Sequence, residues 1–322
     1  MSQHKKNILV TGGAGFIGSN LVAYLLSDHR VGKVRVLDDL STGLRENIDA
    51  FIDHPQYEFI EGDICDKATC DKAMVGIDLV SHQAALGSVP RSIQDPLRSN
   101  AVNVGGTLNI MKSAAEAGVD RVILACSSST YGDHKALPKV EDRIGKPLSP
   151  YAVTKAAIEQ YADVFAHTYN IHFIGLRYFN VFGPRQSPDN PYAAVIPIFC
   201  KAFIQDRQPT INGDGLTSRD FTYIDNAVQA NVLSLFTDQQ AALNQIYNIA
   251  YGEANTLLDM HHALQKISGK DIQPIHGPER PGDIRHSLAD ISKARRLLSY
   301  DPKIDFAAGL EKVFVWYTDR YQ

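Results

Sequence analysis

Short apolar runs alternate with helix-spaced apolar positions through the first half of the chain. Asn7–Val10, Val34–Leu37, Tyr57–Ile60, Leu79–His82, Val122–Ala125 and Phe173–Leu176 are bounded by polar or turn-forming residues and predict buried strands. Between the first two, Ile17, Leu21, Val22 and Leu25 fall on one face of a helix. This alternation predicts an α/β fold, a doubly wound parallel sheet with helices on both faces. From about residue 180 the texture changes. Pro184, Pro188, Pro191 and Pro197 punctuate one stretch and Arg280-Pro281-Gly282 breaks another, predicting a smaller, loop-rich domain. The expected division is 1–179 for the sheet domain, rejoined by about 223–251 through a strand at Tyr247–Ala250, with 180–222 and 252–322 forming the second domain.

Composition narrows the class. The 322 residues are 44% hydrophobic and 21% charged, enough apolar content for a large core and too little charge for a disordered chain. Lys plus Arg number 32 against 36 for Asp plus Glu, and the resulting net charge of -4 argues against a nucleic-acid binder. Cys65, Cys70, Cys126 and Cys200 have neither zinc-ligand nor CxxC spacing and are expected to be reduced, mostly buried thiols. Lys5 and Lys6 precede an apolar run cut off at once by Gly12 and Gly13, unlike a signal or transit peptide, and no apolar stretch approaches the ~20 residues of a membrane span. The expectation is a soluble, cytoplasmic protein. His261-His262 lacks a metal-ligand partner at helical spacing, so the pair reads as surface and no metal is expected.

Thr11-Gly12-Gly13-Ala14-Gly15-Phe16-Ile17-Gly18 lies directly after the first strand and opens the first helix. Gly12 permits a tight turn, Gly15 lets backbone approach a pyrophosphate, and Gly18 lets helix and strand pack closely. The helix N-terminus offers free N–H groups to phosphate. The second strand ends in Asp38, whose carboxylate accepts from a ribose 2′-hydroxyl and repels a 2′-phosphate, so NAD is favoured over NADP.

The GxxGxxG spacing, followed by Tyr151-Ala-Val-Thr-Lys155, resembles the short-chain dehydrogenase/reductase superfamily in its extended branch. The likeness continues through Asp63-Ile64, His82-Gln-Ala-Ala85, Asn103-Val-Gly-Gly-Thr107, Leu176-Arg-Tyr-Phe-Asn180, and Arg219-Asp-Phe221 with Tyr223 and Asp225. It implies cofactor contacts at Gly12, Gly15, Phe16, Ile17, Gly18, Asp38, Ser41, Thr42, Gly43, Asp63, Ile64, Gln83, Ala84, Ala85, Asn103, Tyr151, Lys155 and Tyr178.

Tyr151 and Lys155 are four apart in a segment that reads as helix through Tyr169, so they share a face. A free tyrosine, with a pKa of about 10, is a poor base at neutral pH. A neighbouring ammonium and the positive nicotinamide ring both favour the phenolate. The run Ser127-Ser128-Ser129 follows the fifth strand, at the carboxyl edge where open α/β sheets bind ligands. By resemblance, Ser127 is the catalytic hydroxyl on the sugar's reacting oxygen; Ser128 or Ser129 shares that task or caps the turn.

Extended enzymes that oxidise C4 of a nucleotide-linked hexose diverge after that step. The 4,6-dehydratases carry an Asp-Glu pair where this chain has Ser128-Ser129, and two hydroxyls cannot replace a proton donor and a base. With no acid to steer the 4-keto sugar onward, return of the hydride to its other face makes a C4 epimerase, with tightly bound NAD regenerated each cycle. The strings Gln83-Ala-Ala-Leu-Gly-Ser-Val-Pro-Arg-Ser92 and Ser127-Ser-Ser-Thr-Tyr-Gly132 resemble the bacterial UDP-N-acetylglucosamine 4-epimerase group, relatives of UDP-galactose 4-epimerase used in O-antigen and capsule synthesis. Many galactose epimerases have a lysine after the fourth strand where this chain has Gly87, then Ser88, which become expected sugar contacts. The resemblance further implies substrate contacts at Asn180, Arg219, Arg280, Asp283 and Ser287, and a uracil pocket at Ala194-Val195 and Thr210-Ile211. The rivals are a UDP-glucose/galactose or UDP-uronate 4-epimerase and a non-catalytic dinucleotide-binding sensor. Leu108, Met111 and Ala115, with Ile158, Tyr161, Phe165 and Tyr169, carry more apolar surface than one sheet face requires, and resemblance implies a homodimer through these two helices.

Overall fold

The computed structural model describes residues 5–189, 193–279 and 285–321. Its strands are β1 (Lys6–Thr11), β2 (Val31–Asp38), β3 (Tyr57–Glu61), β4 (Leu79–His82), β5 (Arg121–Ser127), β6 (His172–Tyr178), β7 (Val181–Phe182), β8 (Thr210–Asn212), β9 (Ser218–Arg219), β10 (Thr222–Tyr223), β11 (Gln245–Ile249), β12 (Asn255–Thr256) and β13 (Ile275–Gly277). Helices α1 (Phe16–Ser27), α2 (Lys67–Met74), α3 (Val89–Gln94), α4 (Pro96–Asn100), α5 (Thr107–Ala117) and α6 (Pro150–Tyr169) belong to the first half. They are followed by α7 (Val195–Ile204), α8 (Ile224–Phe236), α9 (Leu257–Ser268), α10 (Ser292–Leu298) and α11 (Phe306–Tyr321).

The main sheet has seven parallel strands in the order β11-β6-β5-β4-β1-β2-β3. Each of the six expected strands is present, because four consecutive apolar-rich residues buried on both faces leave the backbone no better partner than a neighbouring strand. The chain reverses its direction of strand addition between β1 and β4, which opens a crevice at their carboxyl ends. One apolar core packs α1 against the sheet and continues without a break into Phe199 and Phe203 of α7, Leu264 of α9 and Leu310 of α11. The other lies between the sheet and α2, α5 and α6, through Cys70, Met74, Met111 and Phe165. The later segments add the two-stranded pairs β7/β10, β9/β12 and β8/β13. Among the described residues no helix is long and apolar enough to cross a membrane. The cysteines are free thiols, three buried and Cys65 half-buried.

Two expectations about helix faces are corrected. His261 is buried rather than on the surface: its ring meets Phe203 edge-on at 5.4 Å and its Nε2 bonds the Ile272 carbonyl at 2.8 Å, because α9 packs against α7. Only His262 is exposed. Met111, Ile158 and Phe165 are likewise consumed inside the chain, since α6 lies over β5 and β6 while α5 fills the space between α2 and α6. Of the expected α6 residues, Tyr161 and Tyr169 do face outward, joined by Val153 and Val164, each more than 40% exposed (41%, 43%, 54% and 53%).

Candidate active site

The turn from β1 into α1 is built so that backbone can touch a ligand. Gly12 has φ 68°, a conformation open to glycine, and a Cβ there would stand 2.6 Å from the Ala84 nitrogen. A Cβ on Gly18 would come within 2.1 Å of the Gly12 carbonyl oxygen, so close packing of helix on turn requires glycine. No side chain caps α1, which leaves its first-turn N–H groups, Phe16 and Ile17 among them, for an anion. The side chains of Phe16 and Ile17 pack on the core, so their contribution is backbone. The crevice beside this turn is lined by Gly12, Gly15, Asp38, Ser41, Thr42, Gly43, Asp63, Ile64, Gln83, Ala84 and Ala85, all expected, and by Leu37, Asp39, Gly62, Leu86 and Val102, which were not.

Asp38 is buried, and its two oxygens accept from the Ala14 and Leu40 N–H groups at 2.9 Å each. Burial pushes its carboxyl above the usual range, while these two bonds pull it back. Asp39 and Asp63 are also on the wall, and Arg98 offsets both, at 4.0 Å from Asp39 and 3.1 Å from Asp63, which leaves Asp38 as the carboxylate there with no cationic partner among the described residues. Asn103 stands behind the wall rather than on it. Its Oδ1 accepts from Leu86 N at 2.8 Å and its amide donates to Thr154 Oγ1 at 3.1 Å, tying the wall to α6. Tyr178 also works from behind: buried, it accepts from Asn231 Nδ2 at 2.7 Å and donates to Gln83 Oε1 at 3.3 Å.

Helix α6 carries Tyr151, which is half-buried, and Lys155 one turn apart. Lys155 is buried, its Nζ donates to the Ala125 carbonyl at 2.8 Å, and it stands 5.8 Å from the centre of the Tyr151 ring. Ala125 precedes Ser127 by two on β5, so the two side chains leave the strand on the same face. Ser127 Oγ accepts from the Ser129 N–H at 3.2 Å and from the Ser129 hydroxyl at 2.9 Å, opening the short turn Ser128–Tyr131. Ser129 therefore orients Ser127.

Beyond the sheet, a cavity of about 820 Å³, within the range of small-molecule sites, is lined by Asn180, Ala194, Val195, Thr210 and Arg219 from the expected set. Lys201, Arg207 and Arg285 add cationic side chains that sequence reasoning missed. Ile211 does not reach this wall: it is fully buried in the core. Asn180, at φ 34°, donates to the Asp220 carbonyl at 3.3 Å. Asp220 itself is buried and accepts backbone N–H groups from Tyr251, Gly252 and Ala289, pinning the Arg219 strand to the segment that carries Ser287. Ser287 is half-buried, and its N–H donates to the Ser218 carbonyl at 3.1 Å. Gly87 faces open space and Ser88 caps α3 through the Arg91 N–H at 3.2 Å. Arg280 and Asp283 lie outside the described residues.

Residues 8–250 match the family described as the NAD dependent epimerase/dehydratase family. The chain belongs to that family. A solved UDP-N-acetylglucosamine 4-epimerase from Methanobrevibacter ruminantium M1, in complex with UDP-N-acetylmuramic acid, is 39% identical with a TM-score of 0.93, over 98% of this chain and 99% of that one. A UDP-glucuronic acid 4-epimerase from Bacillus cereus, solved with UDP-glucuronic acid and NAD, is 34% identical with a TM-score of 0.90, over 98% and 100%. A UDP-glucose 4-epimerase of Mycolicibacterium smegmatis is 36% identical over 98% of this chain and 99% of its own.

As in other members of the epimerase/dehydratase family, the cofactor is NAD, and the residues present fit it. Glycine at 12 and 18 lets the turn close on the protein's own backbone, the start of α1 is uncapped toward the crevice, and Asp38 lines its wall. When bound, NAD would supply a hydride acceptor. Ser92 and Asp220 fall within motifs quoted from the sequence but, like Asn231, were not expected as site residues, because each also bonds a partner far away in the chain.

Proposed function

We propose that this chain is a UDP-sugar 4-epimerase whose favoured substrates are the N-acetylhexosamine pair UDP-GlcNAc and UDP-GalNAc, with or without a carboxylate at C6. The observation that carries the epimerase reading is Lys155 buried beside Tyr151 and bonded to β5 two residues before Ser127. In this reading Tyr151 takes the proton from the sugar O4 and returns it, with the Lys155 side chain held beside its ring. Ser127, oriented by Ser129, donates to the same sugar oxygen. Ser128 and Ser129 offer no acid for elimination, so the 4-keto sugar has no course but reduction on either face. The presence of both Tyr151 and Lys155 weighs against a sensor. Chromatography of products from a panel of UDP-sugars tests the assignment: the acetylated pair is expected to interconvert fastest, and faster turnover of UDP-glucose or UDP-glucuronic acid overturns the preference.

The preference rests on Ser287. By resemblance, members restricted to glucose and galactose place a bulky aromatic at this position, and a half-buried serine leaves room beside C2 for an acetamido group and adds a hydroxyl partner. Ser287→Tyr is expected to slow the acetylated pair by about 5- to 150-fold, the rate equivalent of roughly 1–3 kcal/mol of overpacking, and to spare the smaller sugars. Equal loss for both pairs, or none, removes Ser287 from the pocket.

The reading includes a homodimer. The stripe Val153, Tyr161, Val164 and Tyr169 on α6 gives an apolar face that a twofold-related α6 would cover. Sedimentation at micromolar concentration is expected to show twice the chain mass of 35.5 kDa, and a species of one chain mass alone excludes it.

A further inference from the structure

We propose that Ser92 is a positioning residue for Tyr151, coupling the proposed sugar-contact loop to the proton-transfer group. The proposal rests on the reading of Tyr151 given above. The first turn of α6 needs acceptors for its N–H groups, and most are found locally. Pro150 has no N–H, Ala152 donates to Ser149 Oγ at 3.1 Å, and Val153 donates to the Ser149 carbonyl at 3.0 Å. The Tyr151 N–H has no such local acceptor. It donates to Ser92 Oγ at 3.0 Å, a residue 59 positions earlier in the chain.

Ser92 is fully buried, and its own proton is committed to the Val89 carbonyl at 2.7 Å. A hydroxyl has one proton to give, so its orientation is set and its free lone pairs are left to accept from Tyr151. The bond therefore fixes the backbone of Tyr151 against α3. That helix begins one residue after Ser88, which caps it and which follows Gly87. The segment proposed to meet the sugar and the residue proposed to move its proton are thus held in one frame. Elsewhere α6 is anchored by Lys155 on β5 and by an ion pair between Glu159 and Arg177, so loss of the Ser92 bond is expected to misplace Tyr151 without unfolding the helix.

The test is a mutant cycle on the NAD-loaded enzyme, with whichever of UDP-GlcNAc and UDP-glucose it turns over faster. Ser92→Ala is expected to lower kcat by about 10- to 100-fold, the scale of a small misplacement of a reacting group. KM and bound NAD are expected to stay near wild type. Ser92→Thr, which keeps the hydroxyl, is expected to restore most of the loss, and Ser92→Cys, a weaker acceptor of similar size, to fall between. In a Tyr151→Phe background, Ser92→Ala is expected to add less than about 2-fold, because coupled residues are not additive. Unchanged kcat in Ser92→Ala, a change in KM alone, or a full additional loss on top of Tyr151→Phe overturns the proposal. Near-normal turnover in Tyr151→Phe by itself is a separate outcome: it removes the proton-transfer role of Tyr151, and with it any role for Ser92 through that residue.

Discussion

Tyr151→Phe is expected to keep the fold and the bound cofactor while losing roughly 10²–10⁴ in turnover, the range for removal of a general acid–base group. The substitution deletes one hydroxyl and leaves the backbone bonds of α6 in place. The N–H of residue 151 still reaches Ser92, Lys155 still bonds Ala125, and the helix remains seated on β5 and β6. The loss should therefore appear in kcat, with thermal stability and NAD content close to wild type. Stopped-time chromatography of the epimerised sugar measures the first, and the absorbance of protein-bound cofactor measures the last. Epimerisation at near-normal rate would show that another group carries the proton.

Glu159→Ala is expected to produce the largest loss of stability. Glu159 lies one turn beyond Lys155 on α6, and its carboxylate meets Arg177 of β6 with both oxygens, at 2.9 and 2.7 Å. The side chains are 9% and 4% exposed, so each charge depends on the other for solvation. Burial alone would lower the Arg177 pKa, but the bonds and charge of Glu159 outweigh it and hold the guanidinium above its usual range. Arg177 also donates to the Glu141 carbonyl at 2.9 Å and lies over the Tyr131 ring at 4.9 Å. Removing Glu159 strands a buried cation, which costs about 3–5 kcal/mol. The double variant Glu159→Met with Arg177→Leu is expected to recover most of that, since apolar replacement of a buried pair is often neutral. Urea midpoints of the two variants decide the matter. A single variant that unfolds at the wild-type midpoint would show that water reaches the guanidinium.

The resemblance of the motifs made much of the cofactor crevice legible, and the structure brings eleven of those residues onto one wall. Two others, Asn103 and Tyr178, belong to the same neighbourhood but bond to protein groups behind the wall. A motif records that a residue type recurs near a site, and does not say whether its side chain faces ligand or scaffold. The second cavity was less legible. Thr210 faces it while its neighbour Ile211 turns into the core, as the alternation of a strand requires once one of the two is buried. Lys201, Arg207 and Arg285 were missed because single charges in loop-rich sequence have no periodic signature.

Local chemistry sufficed for the sheet, the glycine turn and the shared face of Tyr151 and Lys155. Strand runs, φ preferences and helical spacing are properties of residues close together in the chain, and the sequence alone determines them. What only the tertiary structure decided is which partner each buried polar or apolar group meets. Helix α6 has apolar residues around much of its circumference, and period alone does not separate Ile158 and Phe165, which face inward, from Tyr161 and Val164, which face out. His261 became a core residue only when α9 met α7. Ser92 acquired its role from a backbone N–H that proline and serine left without a local acceptor. Such assignments follow from long-range packing, where a buried hydrogen-bonding group takes whatever partner the fold brings within 3 Å or so.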